Sequence, residues 1–373
     1  MKITIITTGH PPYDDRIYWK FAKSLSQNNE VTIFCSTQEI YLTSSNITIK
    51  GFNSNLVNRT EKFNMLTEYL NEFEPDIIIC SETSAIIPSL RFKRKVNNNC
   101  KIISDITEWY PENVASKLKG FNRIFSYIYL FLSNIILSNL ADALIIGEKG
   151  KKKRYNLITP FKKKVIVGYY PVLEFFNYTE PSKSKIDFTL GYAGVINFRR
   201  GILSLLNVLT NLQRKYPDKN IKLKIAGRFE FTNEENIFKE KLIKDNIQNV
   251  EIVGWTDYDK ISDNLSEMDV CFDLRELTFI YKNSLPIKLF EYLAAGKPVI
   301  YSAIKPLKEN ITINDFGFLV NPKNIDEIVN KTERYLLEKD LLNKHSLAAR
   351  KFIEDGNNWG KESLKLISFI DTL

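Results

Sequence analysis

The sequence predicts an α/β fold of two doubly wound domains facing one another across a cleft. Three observations carry this. Short β-branched runs alternate with amphipathic, helix-length segments from end to end, the pattern of parallel sheets covered by helices. The alternation lapses over a polar, proline-bounded stretch between Tyr170 and Asp187 and then restarts, so each half carries its own sheet. Finally, 373 residues with 44% hydrophobic and 26% charged side chains can fill two cores, which excludes disordered, collagen-like and disulfide-scaffold classes.

In the first half the strand-like runs are 2–8, 30–36, 46–52, 76–81, 101–106, 142–147 and 164–170. Helix-like segments lie between them, such as 16–26, where Ile17, Phe21 and Leu25 recur at helical spacing. In the second half the runs are 188–195, 221–227, 250–254, 269–274, 297–302 and 316–320. The expected organisation is a first domain over 1–170, a linker and closing hinge over 171–187, a second domain over 188–357, and a helix over 358–373 that packs back on the first domain. Ligands of such sheets bind beyond the carboxyl ends of the strands, so the loops after the strands are where chemistry is expected.

Composition narrows the chemistry. Two histidines, His10 and His345, exclude a three-histidine zinc site, and no metal is expected. Cys35, Cys80, Cys100 and Cys271 lack paired spacing and lie in or beside apolar runs, which reads as buried thiols in a reducing cytoplasm. The opening MKITIITTGHPP reads as a first strand and not as a signal peptide. The formal net charge of +8 falls entirely within residues 1–170, in clusters at Arg91 to Lys95, Lys149 to Arg154 and Lys162 to Lys164. These clusters read either as solvated loops and helix ends or as a basic face for anionic lipid or a phosphate-bearing acceptor. No aromatic-interleaved basic motif points to nucleic acid. The uncharged segment 124–141 has 18 residues, near the lower limit of a membrane span, but its serines and asparagines favour a buried or surface-lying helix.

Three loops stand out. TTGHPPYDDR (7–16) is a tight glycine turn with Asp14 and Asp15 at a helix start, where capping explains them, and with His10 and Arg16 bracketing the loop. GYAGVINFRRG (191–201) is again strand, glycine turn and helix: Gly194 permits close approach of a ligand, and Arg199 and Arg200 stand at a helix start. It is neither a dinucleotide fingerprint nor a P-loop. In NSLPIKLFEYLAAGKPVI (283–300) a helix carries Lys288 and Glu291 on neighbouring turns, set either for a surface salt bridge or for a ribose diol and a phosphate.

Together with DITEWYP (105–111), KIAGR (224–228) and VEIVGW (250–255), these motifs make the chain resemble the GT-B glycosyltransferases, specifically the family 4 retaining group that uses nucleotide-sugar donors. The resemblance runs over nearly the whole chain. It implies two Rossmann-like domains with the donor on the second. It implies that Glu291, the second acid of the E-x7-E pattern, holds the donor ribose and that Arg200 contacts the diphosphate with Lys288 assisting. Backbone around Gly227 and Gly254 would border base and diphosphate, with the sugar directed toward Gly9, His10 and Asp105. Asp14, Arg16 and Glu108 complete the expected acceptor side. Three departures accompany it: Asn283 replaces the first acid of E-x7-E, Val195 replaces an arginine after the glycine, and Thr107 replaces a histidine.

The expected activity is therefore transfer of a sugar from a UDP- or GDP-sugar to a glycan or lipid-linked acceptor, with retention and without a metal, in cell-surface polysaccharide or glycolipid assembly. The expected place is the cytoplasm, peripheral on the inner face of the cell membrane. A non-catalytic donor-binding subunit, a nucleotide-sugar epimerase and a phosphorylase share the architecture and remain alternatives.

Overall fold

The structure is a computed structural model that describes residues 1–37, 41–44, 46–52, 58–181 and 186–373. The chain divides into two compact units, Met1–Tyr169 with Trp359–Leu373, and Tyr170–Asn358.

The first unit is built on β1 (Lys2–Ile6), β2 (Glu30–Ser36), β3 (Tyr41–Ser44), β4 (Ile47–Phe52), β5 (Ile77–Cys80), β6 (Lys101–Ile106), β7 (Ala143–Ile146) and β8 (Lys163–Ile166). Their order is β3-β4-β2-β1-β5-β6-β7-β8, parallel throughout except that β3 runs antiparallel to β4. β3 is an addition to the strands expected from sequence, being too short to register as a period. The central strands are apolar on both faces, as in β5 with all four residues buried, because helices cover both sides of the sheet.

The second unit holds β9 (Asp187–Ala193), β10 (Asn220–Ala226), β11 (Val250–Gly254), β12 (Val270–Asp273), β13 (Val299–Ser302) and β14 (Gly317–Val320), all parallel in the order β11-β10-β9-β12-β13-β14. In both sheets the chain builds to one side of the first strand and then crosses to the other. The crossing creates a switch point between β1 and β5 and another between β9 and β12, where flanking loops splay apart at the carboxyl edge.

Tyr170 to Pro181, read from sequence as linker, packs on the second unit. Phe176 is buried, the Val172 N–H donates to the Tyr258 hydroxyl at 3.0 Å, and the Asn177 N–H donates to Ser262 Oγ at 3.0 Å. Linker positions 182–185 lie outside the described residues. The last helix, Trp359–Asp371, lies in the first unit, where Trp359 Nε1 donates to Ser24 Oγ at 2.8 Å and stacks on Phe21. All four cysteines are free and buried, and desolvation pushes each thiol up to about 12, which leaves them without thiolate character at neutral pH.

The apolar segment 124–141 forms the helix Gly120–Leu140 together with its C-cap Ala141, and of the two placements open in the sequence the helix takes the surface. Asn134 and Ser138 are its buried residues, while Phe121 and Phe125 are 89% and 79% exposed.

Candidate active site

Each switch point carries a polar cluster. In the first unit, Asp14 caps the π-helical segment Asp15–Ala22 by accepting from the Arg16 and Ile17 N–H groups at 2.9 and 3.0 Å. Its other oxygen meets His10 Nδ1 at 2.8 Å, and this hydrogen bond raises the imidazole to about 9, so His10 is a cation at neutral pH. Gly9 stands between the Thr7 hydroxyl and His10. From the facing side of the switch point, after β5, Glu82 accepts from Thr7 Oγ1 at 2.7 Å and from the Thr8 N–H at 2.9 Å, and desolvation raises its carboxyl.

Arg16 and Asp105, expected on the acceptor side and at the reacting sugar, are instead each other's partners. Two hydrogen bonds of 2.7 and 2.8 Å join them, Arg16 also donates to the Val167 carbonyl, and its guanidinium lies over Phe21 and Tyr169. Both are buried, so the pair braces the helix after β1 against β6 and is closed to a ligand. Glu108 is exposed on a separate segment and bonded to Asn113, while Thr107 offers its carbonyl to Lys151 at 2.6 Å and to Tyr169 at 2.7 Å.

The second unit places a denser set of cations at its switch point. After β9, Gly194 takes φ +112°, and a Cβ there would stand 2.3 Å from Lys288 Cε, so glycine makes room for that side chain. A Cβ on Gly227 would stand 1.9 Å from the Gly194 carbonyl, so the loops after β9 and β10 touch only because Gly227 lacks a side chain. Gly201 is left-handed at φ +81° and lies against Leu274, and the Glu276 N–H donates to the Arg199 carbonyl at 2.7 Å. These two contacts lay the Arg199–Gly201 turn on the loop after β12. Arg199 points to solvent, whereas Arg200 turns inward.

Arg200 and Arg275 then share the Tyr281 ring, at 6.0 and 5.4 Å. Lys288, on the helix Ile287–Ala294, donates to the Tyr192 hydroxyl at 2.8 Å. Burial, and then the Arg200 charge, hold its ammonium well below the usual lysine range, while Glu291 on the same helix favours the charged form. Asp273 accepts from Arg275 Nε at 2.8 Å and from the Tyr301 hydroxyl at 2.7 Å; burial opposes its charge, but Arg275 prevails and lowers it to about 2. Three basic side chains, Arg200, Arg275 and Lys288, thus face one closely held carboxylate, and Arg200 Nε is buried with no hydrogen-bond partner. A buried donor without an acceptor in a positive pocket is an incomplete arrangement that an anion completes.

Asn283, at the position of the missing acid, donates to the Phe279 carbonyl at 2.7 Å. Gly254 takes φ +78° with open space around it, and beside it Trp255 carries the Arg228 guanidinium at 4.7 Å. Sequence reasoning missed Glu82, Asp273 and Arg275. Each lies within two residues of the end of a strand legible in the sequence, which is the signal that marks them. Among the described residues, no group of three histidine, cysteine or acidic side chains converges as a metal site.

Residues 177–352, which include the whole cationic cluster, match the family model described as Glycosyl transferases group 1. The fold matches that of sucrose-phosphate synthase (tll1590) from Thermosynechococcus elongatus at a TM-score of 0.78 and 15% identity, over 100% of this chain and 98% of that one. The chain has the GT-B fold, and its second unit carries the glycosyltransferase group 1 match. The chain is also similar to Anabaena Alr3699/HepE in complex with UDP-glucose (TM-score 0.72, 11% identity, 100% of both chains). A third similar structure is the lipopolysaccharide outer core galactosyltransferase WaaB in its apo form (TM-score 0.65, 16% identity, 100% and 99%). No curated protein matches the sequence.

Proposed function

We propose that the transferase moves a sugar from a nucleotide-diphosphate donor to a glycan or lipid-linked acceptor, with retention, in cell-surface polysaccharide or glycolipid assembly on the cytoplasmic face of the membrane. The observation that carries the donor half is the Arg200 Nε donor, buried without an acceptor among Arg275 and Lys288. A glycosyl transfer has an oxocarbenium-like transition state and a departing diphosphate, so its main demand is negative-charge stabilisation by fixed cations and backbone donors. In this reading Arg200 and Lys288 meet the diphosphate, Gly194 and Gly227 let it approach the backbone, and Arg199 adds charge at the rim. Glu291 accepts from the ribose diol, and Gly254 borders the base. No metal is called for. His10, as a cation, stands on the acceptor side with Gly9 and Asp14. Retention rests on the resemblance to the family 4 group. UDP is the first base to try, since UDP-glucose is the ligand of the similar HepE structure.

Asn283, turned onto its own helix, favours a second reading in which the protein binds donor for a partner transferase without turning it over. A thermal-shift panel of UDP, GDP, CMP, ADP and their sugars separates the cases when paired with a turnover assay. A ligand at about 100 times its dissociation constant stabilises by about 2.7 kcal/mol. The expected result is a shift with one nucleotide that disappears in Arg200→Ala and Glu291→Ala, together with donor consumption by the protein alone. Absence of any shift would overturn the donor site; a shift without turnover would favour the partner reading.

A further inference from the structure

The helix Gly120–Leu140 is built opposite to a water-facing one. Its outer stripe consists of Phe121, Phe125, Ile128, Tyr129, Leu132 and Ile136, each at least 53% exposed, and no charged residue follows Arg123 in the helix. Its fully buried residues are polar, Asn134 and Ser138, beside Leu137, which packs on the core: Asn134 Nδ2 donates to the Tyr155 hydroxyl at 3.1 Å, and Asn139 Nδ2 donates to the Ile158 carbonyl at 2.8 Å. A helix on a protein in water normally exposes its polar face, and an exposed apolar stripe about 22 Å long is a liability unless something covers it.

Length and composition alone would let this helix cross a bilayer. Its polar side, however, is hydrogen-bonded to the helix Lys149–Ile158, which leaves one face available and suits a helix lying in the interface plane. The charge around it selects the surface. From 113 to 141 the chain carries Lys117, Lys119 and Arg123 and no acid. From 149 to 164 it carries eight lysines and arginines; Lys151 is buried on Glu148 and Arg154 is paired with Glu112, which leaves six facing outward, with Leu157 and Phe161 projecting among them at 82% and 97% exposure. A second copy of this chain seated on the stripe would bring the same cations face to face, whereas an anionic headgroup layer complements them.

We propose that this face docks the first unit on an anionic phospholipid bilayer, with the outer stripe of Gly120–Leu140 and the Leu157 and Phe161 side chains entering the acyl boundary. The neighbouring lysines and arginines then meet lipid phosphates. This gives the membrane of the acceptor reading above its contact surface, and it rests on that reading only for its purpose.

The test is flotation of the full chain with vesicles of phosphatidylcholine, alone or mixed with phosphatidylglycerol, without donor or acceptor. The expected result is binding to the mixed vesicles at low salt. Binding should be at least about tenfold weaker for Phe125→Glu with Leu132→Glu, both exposed positions, and weaker and less salt-sensitive for Lys117→Gln, Lys119→Gln and Arg123→Gln together. An unchanged melting temperature and an unchanged nucleotide shift in these variants show that fold and donor site persist, so a failed transfer reading is told apart from a failed docking surface. Equal binding by wild type and the double variant overturns the proposal. So does a dimer by light scattering that the double variant converts to monomer without any vesicle binding, which would assign the stripe to a second copy.

Discussion

Arg16 and Arg200 occupy corresponding places, each following the loop after the first strand of its sheet, yet their surroundings differ in kind. Arg16 has a carboxylate bonded through both oxygens, a backbone carbonyl and two aromatic faces. Arg200 shares its pocket with the basic side chains of Arg275 and Lys288 and keeps Nε without a partner. The difference teaches how to separate architecture from a binding site when both show a buried arginine. A fully satisfied charge holds the fold together, whereas an under-satisfied one in a positive pocket marks where a ligand belongs.

The sharpest way to break this comparison is Arg16→Met. Stranding the buried Asp105 carboxylate should cost about 3–5 kcal/mol of stability, read by denaturant unfolding, with nucleotide affinity unchanged in the folded fraction. Arg200→Ala should do the reverse. Turnover should fall roughly 100- to 1,000-fold, and Lys288→Ala similarly, while the unfolding midpoint barely moves. If Arg16→Met instead weakened the nucleotide specifically, the contrast would fail.

Gly194→Ala probes how tightly the second cluster is built. Its φ of +112° and the 2.3 Å approach of its would-be Cβ to Lys288 Cε predict about 1–3 kcal/mol of strain and a displaced ammonium, visible as weaker donor binding in titration calorimetry. Proton linkage is a finer probe. Because Lys288 is held well below the lysine range when free, a bound diphosphate should pull a proton onto it. Calorimetry in buffers of different ionisation enthalpy should show proton uptake, affinity should fall as pH rises, and Lys288→Met should abolish both.

The smallest effect belongs to the first unit. The His10 imidazole is raised from 6.5 to about 9, so its pairing with Asp14 stabilises fully below pH 6.5 and is lost as pH rises through about 9. The side chain is 45% exposed, which limits the contribution to below about 1 kcal/mol. The melting-temperature difference between wild type and His10→Gln should be largest below pH 6.5 and vanish above 9.

What the sequence determined by itself was most of the local structure along the chain, the short β3 excepted. β-branched runs announce strands such as 30–36, 101–106 and 250–254 because strand burial follows nearest neighbours, and Gly194 and Gly201 announce their turns because only a missing Cβ fits them. The cationic loop and the Lys288 helix were legible for the same reason. What only the tertiary structure decided was which distant groups meet. Thr7 reaches Glu82 across 75 residues, Arg200 finds Arg275 where β9 and β12 lie side by side, and Asp105 is taken up by Arg16 from 89 residues away. Which stripe of Gly120–Leu140 faces inward was equally unreadable from an uncharged run. Hydrophobic period reports that a segment is buried or amphipathic, but the pairing of polar groups depends on strand order, and strand order is set by how whole sheets close over their cores.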